Sequence, residues 1–541
     1  MNNLGINKIP DTLRTNFNIW LLVYFGSTIY FGLLTLINVG GAADKNMLSI
    51  FNIDEFAVYD VVTTMLQGDL RHFLDLTQHV YGYLYHFLNA VALTIMRPLN
   101  HMVGLGQATF DVLILRQLSA LYYLVAVILL LKTFLRQAHP VSIVLAWFAL
   151  ITLPAALSNN TWLHPDNLVF LLYTLAYISL VRDRDALGKW FWIAAVFWGL
   201  AINTKMYGIF LFPVFAYYCF RKQIYEKDGF SSALARLVGS GIVAVLIYLL
   251  TTPFLYFGNN FHDFIKAMTD YSATYITGSR NQVQESKPLL WYRTVINEGY
   301  FHWSFLFCLV VGISAYVKTS YREALILLVA TLPMPLHFLF NVSWTGLWYL
   351  IPTLVPIMML AFFFPAMAAI TRWQKIAFVV AIPLMTWQLA HNFATTMTWA
   401  TTQFHKEESS KSIALYRKVE QVMGARIEKV HTVFRDPYVY IPAIDTMKVK
   451  MKWGLANYGD IRNSDERTEF VDLVVLQRND YVNRCSNEVE LRKYLEYMKQ
   501  DFSKNSPCIA FYSDAKNKNL KGYHFLVESE FGMAFVRSDL Q

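Results

Sequence analysis

Three short polar segments stand out because each sets ionisable side chains beside an apolar stretch. Asp54 and Glu55 are adjacent carboxylates. Two such charges near a membrane are energetically costly unless they are solvated, paired with a cation or used in a reaction. Lys205 lies between two apolar stretches and needs an anionic partner or a path for its ammonium to water. Residues 164–167 read His-Pro-Asp-Asn. Carboxylates, an imidazole and an ammonium group are the types that move protons and bind anions.

Each segment also has a purely structural explanation. Acidic residues favour the first turn of a helix, so the pair Asp54-Glu55 also fits a solvated helix N-terminus. Asp166 can cap the helix that follows Pro165, and the stem of Lys205 can simply extend toward the membrane surface. Capping does not explain why His164 stands in the same short loop.

The elements that must hold these residues are membrane helices. Of the 541 residues 55% are hydrophobic and only 16% are charged, whereas a soluble domain usually has about a quarter charged. This composition excludes a disordered chain, a coiled coil and a disulfide-rich secreted scaffold. Because a bilayer core needs roughly 20 apolar residues per helix, we predict eleven spans, near residues 18–39, 113–131, 141–158, 167–181, 190–204, 207–220, 237–257, 303–317, 323–341, 347–364 and 376–393.

Basic residues in short loops predict the orientation of these spans. With the N-terminus inside, the inner loops hold 15 basic and six acidic residues, and the outer segments hold nine basic and 12 acidic. The segments 40–112, 258–302 and 403–541 are then outside, together with all three polar segments. The inner loops are too short for a nucleotide-binding domain. The net charge of +8 follows from this topology rather than from a nucleic-acid site.

The two outer loops add aromatic and basic residues. In residues 40–112, Tyr81 and Tyr85 recur at helical spacing among polar side chains, which is typical of a helix along the membrane surface, although a packing connector has the same pattern. In residues 258–302, Arg280 and Arg293 lie near tyrosines and a tryptophan. Basic groups among aromatics at this depth bind a phosphate or anchor the chain to anionic lipid.

The last part of the chain differs in composition. Residues 1–402 and residues 403–541 each contain 42 charged residues, so the shorter part has the higher density, and we predict a domain boundary near Gln403. We expect strands at 431–434, 471–476, 523–527 and 534–536 and an amphipathic helix at 488–502, which together indicate a small α/β domain. Cys485 and Cys508 both fall in it and could form a disulfide where the compartment is oxidising.

Several short motifs resemble those of GT-C membrane glycosyltransferases, in particular the branch of dolichyl-phosphate-mannose protein mannosyltransferases and aminoarabinose transferases. The resemblance covers roughly residues 15–395. The matching motifs are Asn52-Ile53-Asp54-Glu55-Phe56, Gln67-Gly68-Asp69, Tyr81-Gly82-Tyr83-Leu84-Tyr85, His164-Pro165-Asp166-Asn167, Thr204-Lys205-Met206-Tyr207-Gly208, Leu211-Phe212-Pro213, Thr252-Pro253-Phe254 and Trp348-Tyr349-Leu350-Ile351-Pro352.

The resemblance implies a polytopic all-α GT-C-like domain over residues 1–402, with an extracytoplasmic α/β domain over residues 403–541. It implies an inverting enzyme that moves a sugar from a polyprenyl phosphate to a hydroxyl acceptor on the outer face. The general base would be Asp54, supported by Glu55. The expected substrate-binding residues are Asp69, Tyr81, Tyr85, His164, Asp166, Asn167, Lys205, Tyr207, Arg280 and Arg293, with Lys205 first and Arg280 or Arg293 next on the leaving phosphate.

Members of the family often have a second acidic residue near the end of the first outer loop, and this chain departs from that pattern. Here residues 100–103 read Asn-His-Met-Val, so Asp69 or Asp166 would take its supporting role. No cofactor is firmly implied, and a divalent site from Asp54, His164 and Asp166 stays an alternative.

Two other functions remain open at this point. One is a lipid or solute transporter or flippase, which would need a midplane site and broken helices in matching halves. The other is a non-catalytic envelope assembly protein. The expected partners are a polyprenyl-phosphate sugar, a glycan, lipid or protein acceptor, and membrane lipid, but no nucleic acid. We expect a bacterial inner membrane with residues 403–541 periplasmic; the endoplasmic reticulum is the alternative.

Overall fold

The computed structural model is mostly helical and ends in a small mixed sheet. It describes residues 11–540 except 69–73, 75–80, 185, 227–228, 259, 267–268, 270–287, 289–290, 342–346, 365–371, 453, 463–469 and 498–501. The predicted site residues Asp69 and Arg280 lie outside the described residues.

The α-helices are numbered here in chain order. They are α1 (Asp11–Asn38), α2 (Lys45–Phe51), α3 (Ile53–Gln67), α4 (Tyr83–Met96), α5 (Asn100–Val103), α6 (Gln107–Phe134), α7 (Pro140–Ile151), α8 (Pro154–Asn160), α9 (Asp166–Asp183), α10 (Lys189–Thr204), α11 (Phe212–Glu226), α12 (Phe230–Leu250), α13 (Phe305–Thr319), α14 (Tyr321–Thr331), α15 (Pro333–Asn341), α16 (Ile351–Ala361), α17 (Arg372–Phe404), α18 (Lys411–Met423), α19 (Glu488–Tyr497), α20 (Phe502–Asn505) and α21 (Cys508–Lys516). The strands are β1 (Thr432–Arg435), β2 (Lys448–Met451), β3 (Leu473–Gln477), β4 (Tyr523–Glu528) and β5 (Gly532–Arg537).

Fewer helices than predicted are long and apolar enough to cross a membrane. Within the described residues five qualify by length and composition, or six if the bent pair α7 and α8 counts as one span. The predicted count of eleven is therefore not confirmed. Several predicted spans are helical but short, since α10 has 16 residues and α13 has 15. The helix α9 is long enough, but it includes Asp166, Arg182 and Asp183.

The helices that meet around the predicted site residues are α4, α6, α9 and α10. The helix α9 packs between α6 and α10, and α4 of the first outer loop packs against α3, α6 and α10. The helices α10 and α12 cross closely at Gly199, where an added Cβ would lie 2.5 Å from the carbonyl oxygen of Ala244. This packing brings the C-terminal end of α10, the first residue of α9 and the first turn of α3 toward one region.

The C-terminal sheet has the strand order β2-β1-β3-β5-β4. The strand β1 pairs in parallel with β2 and β3, while β5 pairs antiparallel with β3 and β4. Alternate residues of β3 face two apolar clusters, one with α19 and α21 and the other with α18. Four of the five strands agree with the predicted ones; the edge strand β2 was not predicted because its sequence, Lys-Val-Lys-Met, carries the charges typical of a protected sheet edge.

The first outer loop packs into this C-terminal sheet region. Met47 of α2 belongs to the same buried cluster as α18 and β3. The hydroxyl of Tyr440 donates a 2.9 Å hydrogen bond to Asp44, and the amide of Gly41 donates one to Glu407 at 2.5 Å. The helix α2 therefore connects the sheet to Asn52, the residue that precedes α3. Cys485 and Cys508 are both buried free thiols in this part of the chain.

Candidate active site

Asp54 lies in the first turn of α3, immediately after a capping residue. Asn52 has an extended backbone, and its side-chain oxygen accepts hydrogen bonds from the amides of Asp54 and Glu55 at 3.0 and 3.5 Å, as an N-cap residue does. This cap fixes the direction of the helix start. The two neighbouring carboxylates then point to different partners.

Lys205 is the centre of the cluster. It follows the last residue of α10, and its Nζ lies 3.2 Å from Oδ1 and 3.3 Å from Oδ2 of Asp166. Three tyrosine rings surround the ammonium, with Nζ 5.5 Å from the ring centroid of Tyr81, 5.0 Å from that of Tyr207 and 4.1 Å from that of Tyr349. These distances are within the range of cation–π attraction. The lysine is therefore paired and enclosed, which contradicts the alternative of a stem that extends to water.

Asp54 belongs to the same cluster as Lys205. Burial raises the pKa of the Asp54 carboxyl above its usual range, whereas the nearby Lys205 ammonium and a hydrogen bond from Tyr81 oppose that shift. Burial also lowers the pKa of Lys205 to about 8, and Asp166 and Asp54 both oppose this. Two carboxylates thus share one cation at the edge of α9 and α10.

His164 is enclosed by aromatic rings beside Asp166. Its Nδ1 pairs with Oδ2 of Asp166, and its ring stacks on Trp162 at 5.1 Å and meets Tyr81 edge-on at 5.2 Å. The carboxylate of Asp166 therefore contacts both the imidazole and the ammonium of Lys205. Of the segment 164–167, the imidazole and the aspartate thus line the cluster.

Close backbone contact sets the position of Tyr81. The amide of the next residue, Gly82, donates to the carbonyl oxygen of Thr204 at 3.1 Å, and the amide of Leu84 donates to the side chain of Asn203 at 2.9 Å. An added Cβ on Gly82 would lie 1.0 Å from the carbonyl oxygen of Asn203, so only glycine fits. The first outer loop is thereby attached to the end of α10 that carries Lys205.

Glu55 points away from this cluster and into the protein. Its carboxylate accepts two hydrogen bonds from Arg116 of α6, at 2.6 and 2.7 Å, and a third from the amide of Leu163 at 3.2 Å. Only 1% of Glu55 is exposed. Arg116 also donates to the carbonyl oxygens of Asn38 and Gly40. Glu55 therefore joins α3 to α6, to the end of α1 and to the loop that carries His164.

Two further predicted residues lie in packing positions. The side chain of Asn167 bonds within the protein, to Ser119 of α6 and to Asn159 and Asn160 of α8. Tyr85 is buried, with its ring edge-on to Tyr81 at a centroid distance of 6.4 Å. Neither contacts Lys205 in the interactions that the described residues make.

Arg293 is not a member of the cluster of Asp54, His164, Asp166 and Lys205. It is exposed on the π-helix Tyr292–Asn297, which contacts the turn Leu347–Leu350 that carries Tyr349. Sequence reasoning did not select Tyr349 or Trp162 as site residues, although Tyr349 stands in one of the matching motifs and Trp162 lies two residues before His164. The sequence around Tyr349 does not indicate that the ring contacts Lys205, 144 residues away. The sequence around Trp162 does not indicate that its ring stacks on His164.

The site does not have the donor set of a metal centre. Among the described residues no group of three His, Cys, Asp or Glu side chains is arranged to hold a metal ion. The described residues therefore give no support to the alternative of a divalent site from Asp54, His164 and Asp166. The physical reason is that the ammonium of Lys205 lies beside the carboxylates and neutralises Asp166 where a metal would have to bind.

Comparisons with known proteins agree with this architecture. Residues 90–336 match the model of glycosyltransferase family 87. No curated protein sequence matches the chain with significance.

Solved structures show which fold the chain has. The apo structure of ArnT from Cupriavidus metallidurans is 11% identical over 96% of this chain and 98% of that chain, with a TM-score of 0.51. The same protein bound to undecaprenyl phosphate gives a TM-score of 0.48. The apo Archaeoglobus fulgidus oligosaccharyltransferase is 12% identical over 95% of this chain and 74% of that chain, with a TM-score of 0.44. The chain therefore resembles glycosyltransferase family 87 over residues 90–336 and shares the fold of ArnT.

Proposed function

We propose that this protein transfers a sugar from a polyprenyl phosphate to an acceptor hydroxyl, with inversion, at the outer edge of the membrane. The observation that carries the proposal is the cluster of Asp54, Asp166 and Lys205. The likeness to ArnT supports the fold alone. The polyprenyl-phosphate donor is proposed from the chemistry of these three residues.

Lys205 is proposed to stabilise the leaving phosphate. An ammonium has three N–H donors, and Asp166 accepts from it with both oxygens, which leaves donor capacity for a ligand oxygen. When the C1–O bond of the sugar phosphate breaks, negative charge develops on the phosphate oxygen, and a fixed cation there lowers the barrier. Asp166 and the three tyrosine rings keep the ammonium in place before the donor arrives.

Asp54 is proposed as the general base. The acceptor oxygen attacks C1 of the sugar from the face opposite the phosphate, its proton passes to the Asp54 carboxylate, and polyprenyl phosphate departs with the electrons of the broken bond. A single displacement of this kind inverts the anomeric configuration. The raised pKa of Asp54 makes it a better proton acceptor than an ordinary carboxylate.

The charge balance of the cluster implies a further cation. One ammonium faces two carboxylates, so the described cluster has no surplus positive charge for a phosphodiester. We propose that the outer segment 258–302 supplies it, with Arg293 or Arg280 as donors. Arg293 is on the π-helix that contacts the turn carrying Tyr349.

The organisation of the chain follows from this proposal. Residues 1–402 would form the catalytic membrane part, and residues 403–541 an outer domain that contributes to acceptor selection. We also propose that the outer face is the periplasmic face of a bacterial inner membrane. A lipid-linked donor reaches that face through the bilayer, which fits inner loops too short to bind a nucleotide sugar.

The test is transfer by purified protein from a radiolabelled polyprenyl-phosphate sugar to a lipid and glycan extract. Asp54→Asn is expected to lower turnover by about 100-fold or more, while Asp60→Asn, an exposed carboxylate on the same helix, keeps wild-type turnover. Equal activity of Asp54→Asn and wild type would refute the catalytic assignment. Movement of the labelled lipid across a vesicle bilayer without transfer to any acceptor would instead support a flippase.

A further inference from the structure

A cavity lies between the first outer loop and the C-terminal sheet. It encloses about 370 Å³. The loop contributes Lys45 and Asn46 of α2 and Phe56 of α3, and the C-terminal part contributes Arg435 at the end of β1. The remaining lining residues come from one stretch and are Ala443, Ile444, Asp445, Met447, Val449 and Met451. Neither the family match nor the cluster around Lys205 involves these residues.

Arg435 is the unusual member of this lining. The residue is only 2% exposed, and a buried guanidinium is costly unless its N–H groups and charge are compensated. One terminal nitrogen donates to the carbonyl oxygen of Val439 at 2.6 Å and the other to Oγ of Ser49 at 2.8 Å. Nε has no hydrogen-bond partner among the residues that the structure describes.

The charges around Arg435 leave it without a hydrogen-bonded counter-ion in the described structure. Asp44 attracts the guanidinium, but its oxygens already accept hydrogen bonds from the amide of Met47, the hydroxyl of Tyr440 and the amide of Ala443. Lys45 adds a second cation at the exposed side of the cavity, and the acidic residue of the lining, Asp445, is solvent-exposed, so water and salt weaken its field.

We propose that this cavity binds an anionic group, a phosphate or a carboxylate, through the unpartnered Nε–H of Arg435 and the ammonium of Lys45. An oxyanion is the ligand that both groups recognise, because a guanidinium N–H and an ammonium are donors only. The apolar side chains of Phe56, Met447 and Val449 exclude water around it and strengthen the attraction.

The carrier of this anion is the acceptor, a step that rests on the proposed function. Phe56 follows Asp54 by two residues on α3, so the cavity and the cluster around Lys205 lie on different sides of the same helical turn. We expect the acceptor to reach both sites, with its hydroxyl at Asp54 and its anionic group at Arg435, and so to be longer than a single sugar. The C-terminal sheet would thereby select acceptors that carry a negative group.

The test is thermal unfolding of the purified full-length protein with inorganic phosphate or acetate titrated at constant ionic strength. It uses Lys205→Gln as the parent, which removes the proposed ammonium contact with phosphate at the donor site. We expect a saturable rise in melting temperature. Adding Lys45→Gln should weaken the apparent affinity about fivefold or more, and adding Lys45→Arg should restore it. Because Lys45 is exposed, we expect both Lys45 variants to fold. Arg435→Gln, provided that it folds, should abolish the rise in melting temperature.

The outcomes separate this proposal from the proposed function. Stabilisation by phosphate alone or by acetate alone identifies the anion. No shift in the parent, or the same shift with Lys45→Gln as without it, would overturn the anion site. Neither measurement involves transfer or Asp54, so wild-type turnover by Asp54→Asn would refute the glycosyltransferase mechanism while leaving the anion site standing.

Discussion

The ammonium of Lys205 lies 3.2 Å from Oδ1 of Asp166 and 3.3 Å from Oδ2, although 39 residues separate them in the chain. The pair joins the end of α10 to the start of α9, and His164 binds the same carboxylate. Asp54 reaches this pair from the first outer loop. The chemistry proposed above therefore depends on how three separate elements meet at one point.

The first prediction concerns the pH dependence of turnover. Lys205 must be charged to stabilise a phosphate, and its pKa is lowered to about 8, so activity should fall as the pH rises through about 8. Asp54 must be ionised to accept a proton, and its pKa is raised, so the acidic limb should lie above the pH where an ordinary carboxyl titrates. Rates at saturating donor across pH 4–10 measure both limbs.

The variant Lys205→Arg separates this explanation from general loss of stability at high pH. A guanidinium stays charged throughout the range, so the alkaline limb should move upward even if the maximal rate falls. Lys266→Arg, an exposed lysine of the outer segment 258–302, is the matched control and should leave the profile unchanged. An alkaline limb that stays in place in Lys205→Arg would show that Lys205 does not titrate in the reaction.

The sequence predicted the members of this cluster better than their partners. Asp54, His164, Asp166 and Lys205 were selected because their charges are costly beside apolar helices, and that cost is visible in the sequence. Pairing is a matter of three-dimensional packing. The sequence treated Asp54 and Glu55 as one pair, but consecutive residues of a helix point about 100° apart, so the structure gives them different partners.

The second prediction is that Glu55 acts mainly through stability. Its ion pair with Arg116 is fully buried, and removal of one partner from such a pair costs about 3–5 kcal/mol because the other charge is left uncompensated. Arg116→Met and Glu55→Gln should each lower the free energy of unfolding by about that amount. Their combination should cost less than the sum of the two. Denaturation in detergent, followed by circular dichroism, measures these values.

An exposed pair serves as the control for this cycle. Arg492 and Glu488 form a 2.7 Å contact with more than half of each side chain exposed, and such a pair contributes about 0.3–0.5 kcal/mol. Glu488→Gln, which leaves the contact between Arg492 and the ring of Phe502 in place, should therefore leave the unfolding curve nearly unchanged. Strictly additive effects of Glu55→Gln and Arg116→Met would mean that the two residues are not coupled.

The third prediction concerns Asn167, which the sequence assigned to substrate binding. Its amide bonds with Ser119, Asn159 and Asn160 and is fully buried. Asn167→Ala should leave these groups unsatisfied and lower stability by about 1–3 kcal/mol. Turnover per mole of folded protein, measured after size-exclusion chromatography, should stay close to wild type. A loss of turnover without loss of stability would show that Asn167 contributes to substrate binding after all.

The C-terminal part shows where sequence patterns suffice and where they do not. The strands β3, β4 and β5 are runs of apolar or alternating residues, so their periodicity predicted them. The contact between α2 and the sheet could not be predicted, because Met47 and Arg435 stand nearly 400 residues apart and each has an ordinary local sequence. The cavity beside Arg435 depends on that contact, and so no sequence pattern indicated it.

The last prediction tests the attachment of the first outer loop to α10. A methyl group on Gly82 would overlap the carbonyl oxygen of Asn203, 1.0 Å away, so Gly82→Ala must shift the loop. Tyr81 would then leave its place beside Lys205 and Asp54. A displacement of about 1 Å in such a site lowers rates about 100-fold, and we expect a loss of that size with the fold retained.

The control is Gly106→Ala, where the nearest atom to the added methyl is 3.7 Å away and φ is −56°. Since the shift acts through geometry and not charge, the pH profile of the remaining activity should keep its wild-type limbs. Full activity of Gly82→Ala would show that turnover does not require this contact between Tyr81 and the end of α10.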